Sequence, residues 1–144
     1  MIVFDASLAV KWYLPEAGAL EARAAFQSHA GQIVAPDIIL TEVISAMVRR
    51  GNINKAERSA SEACITKFLA LFDEGFVSAL PMRPRQMEQA SRHALDLGHP
   101  LKDCLYLVLA MELGCKLMTC DAKFTAKAKH VWSGVTLLGA DDAE

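Results

Sequence analysis

The sequence predicts an α/β fold in three layers, with a central parallel sheet of about five strands between two layers of helices. Short apolar runs alternate with longer segments of helical periodicity along the chain, which is the pattern of strand–helix–strand units. Hydrophobic residues make up 53% of the 144 residues, so the chain can bury a sizeable core. No repeat, low-complexity tract or linker interrupts the sequence, and we expect residues 1–144 to form a single domain.

The order of the elements follows from the hydrophobic pattern. Short apolar runs predict five strands, at residues 2–4, 32–35, 76–80, 116–119 and 135–138. Apolar residues spaced by three or four predict the helices, at residues 8–14, 16–29, 40–50, 60–74, 87–97, 103–113 and 122–129. The helix over 103–113 is apolar on nearly every side, which places it at the centre of the fold. The acidic tail, residues 139–144, is expected to be frayed.

Capping and helix-breaking residues set the limits of several elements. Ser7 is a suitable N-cap for the first helix, and Pro15 ends it. Gly51 is expected to close the third helix, because glycine readily adopts the left-handed conformation found after helices. Asp103 and Asp121 are suitable first residues for the last two helices.

Four acidic residues occupy positions that a parallel sheet would bring to one rim. Asp5 ends the first strand, Asp121 follows the fourth, Glu42 lies near the start of the third helix, and Asp103 opens the buried one. Ligands bind outside the carboxyl ends of the strands in such sheets. Each residue alone is equally well explained as a helix cap, a turn residue or a partner of the helix dipole. All four together would repel one another unless a cation bound between them.

An all-oxygen set of ligands suits Mg²⁺ or Mn²⁺. Such ions polarise a phosphoryl oxygen and activate water for in-line attack, so no histidine pair is required. The four histidines are scattered in the sequence, and we expect them to be surface or structural residues: His29, His93, His99 and His130.

The bulk properties exclude several other classes of protein. The longest apolar stretch, residues 105–111, is far shorter than the roughly 20 residues of a membrane span. Residues 1–5 have neither the basic region nor the cleavage site of a signal peptide, so we expect a soluble, cytoplasmic protein. The net charge of −2 argues mildly against a non-specific, high-affinity nucleic-acid binder.

The segments around the four acidic residues resemble a known family. Asp5 begins DASLAVKWYLPE, Glu42 begins EVISAM, Asp103 begins DCLYLVLA, and Asp121 lies within TCDAKF. In this order they resemble the motifs of PIN-domain proteins, in particular the VapC-type toxins of prokaryotic toxin–antitoxin pairs. The likeness spans residue 2 to about residue 125. Ser45 departs from the pattern, because many relatives have asparagine there.

The resemblance implies a PIN-like fold and a Mg²⁺- or Mn²⁺-dependent endoribonuclease, the toxin of a type II toxin–antitoxin system. It also implies a cognate antitoxin and a homodimer. The family's catalytic and metal-binding residues correspond to Asp5, Glu42, Asp103 and Asp121. Ser7 and Thr119 correspond to hydroxyl donors that orient carboxylates or waters. A serine at position 45 would give the site weaker support than asparagine.

Three lysines lie close in sequence to the proposed ligands and are candidates for holding RNA phosphates: Lys11, Lys102 and Lys123. Solvated lysines that bind nothing are the ordinary alternative.

Three other readings stay open at this stage. A catalytically silent PIN-fold binding module is one, although the intact acidic set argues against it. A phosphatase of the haloacid dehalogenase type needs a second Asp two residues after the first, where this chain has Ser7. A signalling receiver domain needs a phospho-acceptor Asp after the third strand, where this chain has Pro81, Met82 and Arg83.

Overall fold

The computed structural model describes residues 1–139, so most of the predicted frayed tail lies outside the described residues. The five strands are Ile2–Phe4 (β1), Ile33–Pro36 (β2), Val77–Leu80 (β3), Lys116–Thr119 (β4) and Val135–Leu137 (β5). The α-helices of this part are Ala6–Ala9 (α1), Ala19–His29 (α2), Ile38–Ile53 (α3), Arg58–Asp73 (α4), Pro84–Leu97 (α5), Leu101–Leu113 (α6) and Ala122–Ala128 (α7). No helix within residues 1–139 is both long and apolar enough to cross a membrane.

The five strands form one parallel sheet in the order β3-β2-β1-β4-β5. The predicted three-layer α/β/α fold with a parallel sheet is therefore confirmed. Ile2 of β1 pairs with Ile33 on one side and with Lys116 on the other, so β1 is the central strand. The strand order reverses between β1 and β4, where doubly wound sheets bind their ligands.

Helix α6 lies at the centre of the fold, as predicted. It packs against β1, β2 and β4, and its residues 104–110 are buried without interruption. The strands β1 and β2 are likewise buried along their whole length. A helix buried on all sides is rigidly held, because moving it would disturb close-packed neighbours on every face. Side chains that project from its first turns therefore have fixed positions.

The N-cap of α1 differs from the prediction. Asp5, not Ser7, caps this helix, and its side chain accepts a hydrogen bond from the Leu8 amide. The helix ends at Ala9, and a 3₁₀ turn continues from Val10 to Trp12. Ser7 lies inside the first turn, which turns its hydroxyl towards Asp5.

Other predicted helix boundaries were also wrong, including the start of α5, which lies at Pro84 and not at residue 87. Helix α2 begins only at Ala19, because Gly18 adopts a left-handed conformation with φ +85°. Gly51 does not close α3, which continues to Ile53. A Cβ on Gly51 would lie 3.4 Å from the Ser61 hydroxyl, so the missing side chain allows α3 and α4 to approach closely. Asp103 does not open α6, which begins two residues earlier, after Pro100.

Candidate active site

Asp5 is a buried carboxylate at the carboxyl end of β1. Its exposed fraction is 3%, and its backbone amide donates to the Met118 carbonyl of β4 at 3.3 Å. The Oδ1 atom accepts hydrogen bonds from the Ser7 hydroxyl at 2.6 Å and the Leu8 amide at 3.3 Å. The Oδ2 atom accepts from the Thr119 hydroxyl at 2.5 Å. These bonds leave the Asp5 side chain a single orientation.

The two hydroxyls that donate to Asp5 also hold the segment after β4. The Cys120 amide donates to Ser7 Oγ, and the Asp121 amide donates to Thr119 Oγ1, both at 3.1 Å. Each hydroxyl therefore accepts a hydrogen bond from a backbone N–H and donates one to Asp5. The connection from β4 to α7 is tied to Asp5 in this way, although the two lie far apart in sequence.

Asp121 and Asp103 approach each other from two different helices. Asp121 is the N-cap of α7, as predicted, and its Oδ1 accepts from the Phe124 amide at 2.9 Å. Asp103 lies in the first turn of α6, and its Oδ2 is 2.6 Å from Nε2 of His99. One ligand atom each from His99, Asp103 and Asp121 lies within 4.8 Å of the others.

Glu42 projects from α3 and is held by two residues of α6. The Tyr106 hydroxyl donates to Glu42 Oε1 at 2.9 Å, and Lys102 Nζ lies 3.7 Å from Oε2. Tyr106 is almost fully buried. Helix α6 therefore supplies Asp103 and also the two side chains that fix Glu42.

Burial and mutual repulsion raise the pKa values of two carboxyl groups in this site. Burial raises the pKa of Asp5 to about 6, against the opposing effect of its hydroxyl donors, and the charge of Asp103 adds to the rise. Burial also raises the pKa of Glu42, where Tyr106 and Lys102 oppose the rise and Asp103 again adds to it. Asp103 is thus close enough for its charge to disfavour the ionised forms of both Asp5 and Glu42.

Little positive charge offsets these four carboxylates. Within residues 1–139, Lys102 is the only lysine or arginine that pairs with any of them. The site thus combines a buried carboxylate, three half-buried ones and an excess of negative charge. Such an arrangement fits a divalent cation held by oxygen ligands.

The three candidate RNA-binding lysines have different surroundings. Lys102 is 59% exposed beside Glu42, and Lys123 is exposed in the first turn of α7. Lys11 donates to the Ala17 carbonyl at 2.6 Å. Ser45 lies on the exposed face of α3 and makes no hydrogen bond to the four carboxylates within the described residues.

Sequence reasoning missed His99 and Tyr106 as partners of the acidic residues. We expected His99 to be a surface or structural residue with no proposed ligand beside it, yet it contacts Asp103 directly. The spacing of four residues between them was a signal, but it carried little weight while α6 was predicted to begin at Asp103. Tyr106 resembled one more core residue of an apolar helix, and only its hydroxyl pointed to a polar partner.

Comparisons with known proteins agree with this architecture. The model of the PIN domain family matches residues 2–130. The crystal structure of PAE2754 from Pyrobaculum aerophilum superposes with a TM-score of 0.70 at 20% identity, covering 95% of this chain and 88% of that chain.

Mycobacterium tuberculosis VapC20, described as a Sarcin-Ricin loop cleaving toxin, superposes with a TM-score of 0.69 at 17% identity. This match covers 88% of this chain and 94% of that chain. At such identities both likenesses show the fold alone. No curated protein gives a significant match.

Proposed function

Because this chain belongs to the PIN domain family, we propose that it is a Mg²⁺- or Mn²⁺-dependent endoribonuclease. One observation carries the proposal: near the point where the strand order reverses, Asp103 lies within ligand distance of Asp121, and its charge acts on both Asp5 and Glu42. Family membership supports a nuclease, and the acidic set supports a metal-dependent one.

The residues present fit a divalent cation. Asp103 and Asp121 have ligand atoms within 4.8 Å of each other, and burial raises the pKa of both Asp5 and Glu42, a rise to which the charge of Asp103 adds. A cation would relieve that repulsion, and we propose these four carboxylates as its ligands. When bound, such an ion polarises a phosphoryl oxygen and lowers the pKa of a coordinated water.

The remaining residues of the site orient the ligands and receive the RNA. The hydroxyls of Ser7 and Thr119 hold Asp5, and the Tyr106 hydroxyl holds Glu42. Lys102 is exposed beside Glu42, and Lys123 is exposed two residues after Asp121; we propose that both contact RNA phosphates. Lys11 would join them only after leaving the Ala17 carbonyl.

The biological setting that we propose is a type II toxin–antitoxin pair in the cytoplasm. The chain would act as a homodimeric toxin and be inhibited by a cognate antitoxin protein. The resemblance of its four motifs to VapC-type toxins supports this setting, and the PIN fold is consistent with it.

An RNA cleavage assay tests the activity. Wild-type protein should cut total RNA in Mg²⁺ and stop cutting in EDTA, and the products should carry 5′-phosphate and 3′-hydroxyl ends, as water attack at phosphorus requires. Asp103→Asn should lower the rate by about 100-fold or more, the scale of losing one group that stabilises the transition state. The matched control is Asp96→Asn, an exposed aspartate on α5, which should cut normally.

Two results would contradict this mechanism. Products with 2′,3′-cyclic phosphates would mean that the ribose hydroxyl attacks. RNA binding without cleavage, in the presence of either metal, would favour the silent binding module.

A further inference from the structure

His99 is a half-buried residue with a largely buried side chain in the connection between α5 and α6. Its side chain is 8% exposed, and its backbone amide donates to the Ala94 carbonyl at 3.0 Å. The imidazole Nε2 lies 2.6 Å from Oδ2 of Asp103, which is a short hydrogen bond. Because a carboxylate oxygen accepts, we assign the proton to Nε2.

The same imidazole ring also contacts the helix that carries Asp121. It packs against Phe124, with ring centroids 4.8 Å apart and planes inclined by 33°. Phe124 is fully buried, and its amide donates to Asp121 Oδ1. One edge of His99 therefore fixes Asp103, while its face packs against the residue that fixes Asp121.

We propose that His99 is a positioning residue that sets the orientation of Asp103 and its separation from Asp121 for cation binding. This inference rests on the proposed function. The hydrogen bond engages Oδ2 of Asp103, whereas Oδ1 accepts no hydrogen bond within the described residues. A carboxylate held in this way presents its other oxygen in one direction. Groups that orient a metal ligand contribute about 10- to 100-fold to metal affinity.

Direct ligation by His99 is the competing role. At 2.6 Å the Nε2–Oδ2 contact has hydrogen-bond length, and a nitrogen that donates its proton to Asp103 has no lone pair for a metal. Oxygen donors also suit Mg²⁺ and Mn²⁺ better than imidazole does. The geometry therefore favours positioning.

Two variants separate the hydrogen bond from the packing. His99→Phe keeps a ring against Phe124 and removes the donor, while His99→Gln restores an N–H donor at similar reach. The matched control is His93→Phe on α5, because His93 lines a cleft with Arg83 and Arg85 and contacts none of the four carboxylates. Each protein is titrated with Mn²⁺ by calorimetry at one fixed pH, without RNA, and its melting temperature is measured in EDTA.

We expect His99→Phe to bind Mn²⁺ about 10- to 100-fold more weakly than wild type, and His99→Gln to recover most of that loss. His93→Phe should bind like wild type. Equal binding by His99→Phe and wild type, or equal losses in both His99 variants, would overturn the positioning role. Failure of the wild type itself to bind Mn²⁺ would instead overturn the proposed function.

A measurement on the wild-type protein keeps the test decisive if His99→Phe does not fold. The Nε2-bound proton of His99 is followed by NMR during a Mg²⁺ titration. A positioning residue retains this proton when the ion binds. Its loss at saturating Mg²⁺ would show direct ligation and overturn the proposal.

Discussion

Asp5 is an acid whose ionised form destabilises the metal-free protein. Its folded pKa is about 6, whereas its ordinary value is 3.8. A raised carboxyl pKa means that the folded state binds its proton more tightly than the unfolded state does. Stability from this group is therefore greatest at low pH and falls as the pH rises through about 6. The difference of about two pKa units corresponds to about 3 kcal/mol at neutral pH.

Replacing Asp5 by asparagine should therefore stabilise the protein in EDTA. Asp5→Asn keeps the Oδ1 acceptor for Ser7 and the Leu8 amide and removes the charge, while its amide nitrogen can no longer accept from the Thr119 hydroxyl. At pH 7.5 we expect its free energy of unfolding in urea to exceed that of wild type by up to about 3 kcal/mol. The gain should shrink as the pH falls towards 4, where wild-type Asp5 becomes neutral in both states. An Asp5→Asn protein less stable than wild type at pH 7.5 would mean that the charge itself supports the fold.

The acidic residues of the site were visible in the sequence because their positions depend on local pattern. Asp5 and Asp121 follow apolar strands, and parallel strands bring their carboxyl ends together. The partners of these acids were not visible, because their roles depend on contacts across the fold. Tyr106 meets Glu42 from another helix, and His99 meets Phe124 from a different part of the chain.

Left-handed glycines end both α5 and α6. Gly98 caps the end of α5, directly before His99, with φ +62°, and Gly114 caps the end of α6 with φ +63°. A Cβ would meet nothing within 4 Å at either position, so only the backbone conformation resists a side chain. The two glycines differ in one respect, since Gly98 alone adjoins His99, and its carbonyl accepts from Lys127.

The two glycines give a matched test of whether the connection between α5 and α6 supports the site. Gly98→Ala and Gly114→Ala should each lose about 1–2 kcal/mol of stability, the strain of a left-handed alanine. Only Gly98→Ala should also weaken Mn²⁺ binding several-fold, because relaxing its backbone displaces His99 from Asp103. Calorimetry measures the Mn²⁺ affinity of each variant, and urea unfolding measures its stability. Equal Mn²⁺ affinities in the two variants would show that the connection between α5 and α6 does not determine the geometry of the metal site.

Strands were easier to predict than helix ends. Strands β1 and β2 are continuous apolar runs, and the observed limits of all five strands lie within one residue of those expected. Glycines were ambiguous signals for the ends of helices, because a glycine can either adopt a left-handed turn or allow two helices to pack closely. Gly18 takes the first role and delays α2, while Gly51 takes the second and lets α3 continue. Only the three-dimensional neighbours distinguish these roles.

On the scale of the whole molecule, the proposed metal site joins segments that are distant in sequence. Its carboxylates come from β1, α3, α6 and the connection before α7. An unfolded chain cannot gather them without paying a large entropy of loop closure. A cation should therefore bind the folded state almost exclusively and stabilise it by mass action.

We expect Mg²⁺ to raise the free energy of unfolding of wild type by about 2.7 kcal/mol at 100 times its dissociation constant. Urea unfolding at increasing Mg²⁺ and constant ionic strength measures the gain. Asp103→Asn should gain much less, and Asp96→Asn should gain as much as wild type. Equal gains in all three proteins would assign the effect to non-specific ion binding.

The position of Tyr106 three residues after Asp103 restricts which changes of length α6 tolerates. Three residues turn an α-helix by about 300°, so the two side chains project from neighbouring directions. Deleting one residue between them would leave the two side chains about 160° apart, on opposite sides of the helix, whereas inserting one residue would leave them about 40° apart on one face. After a deletion, Tyr106, which holds Glu42, and the Asp103 carboxylate would no longer face the same rim. Deletions among homologues should therefore avoid this stretch of α6.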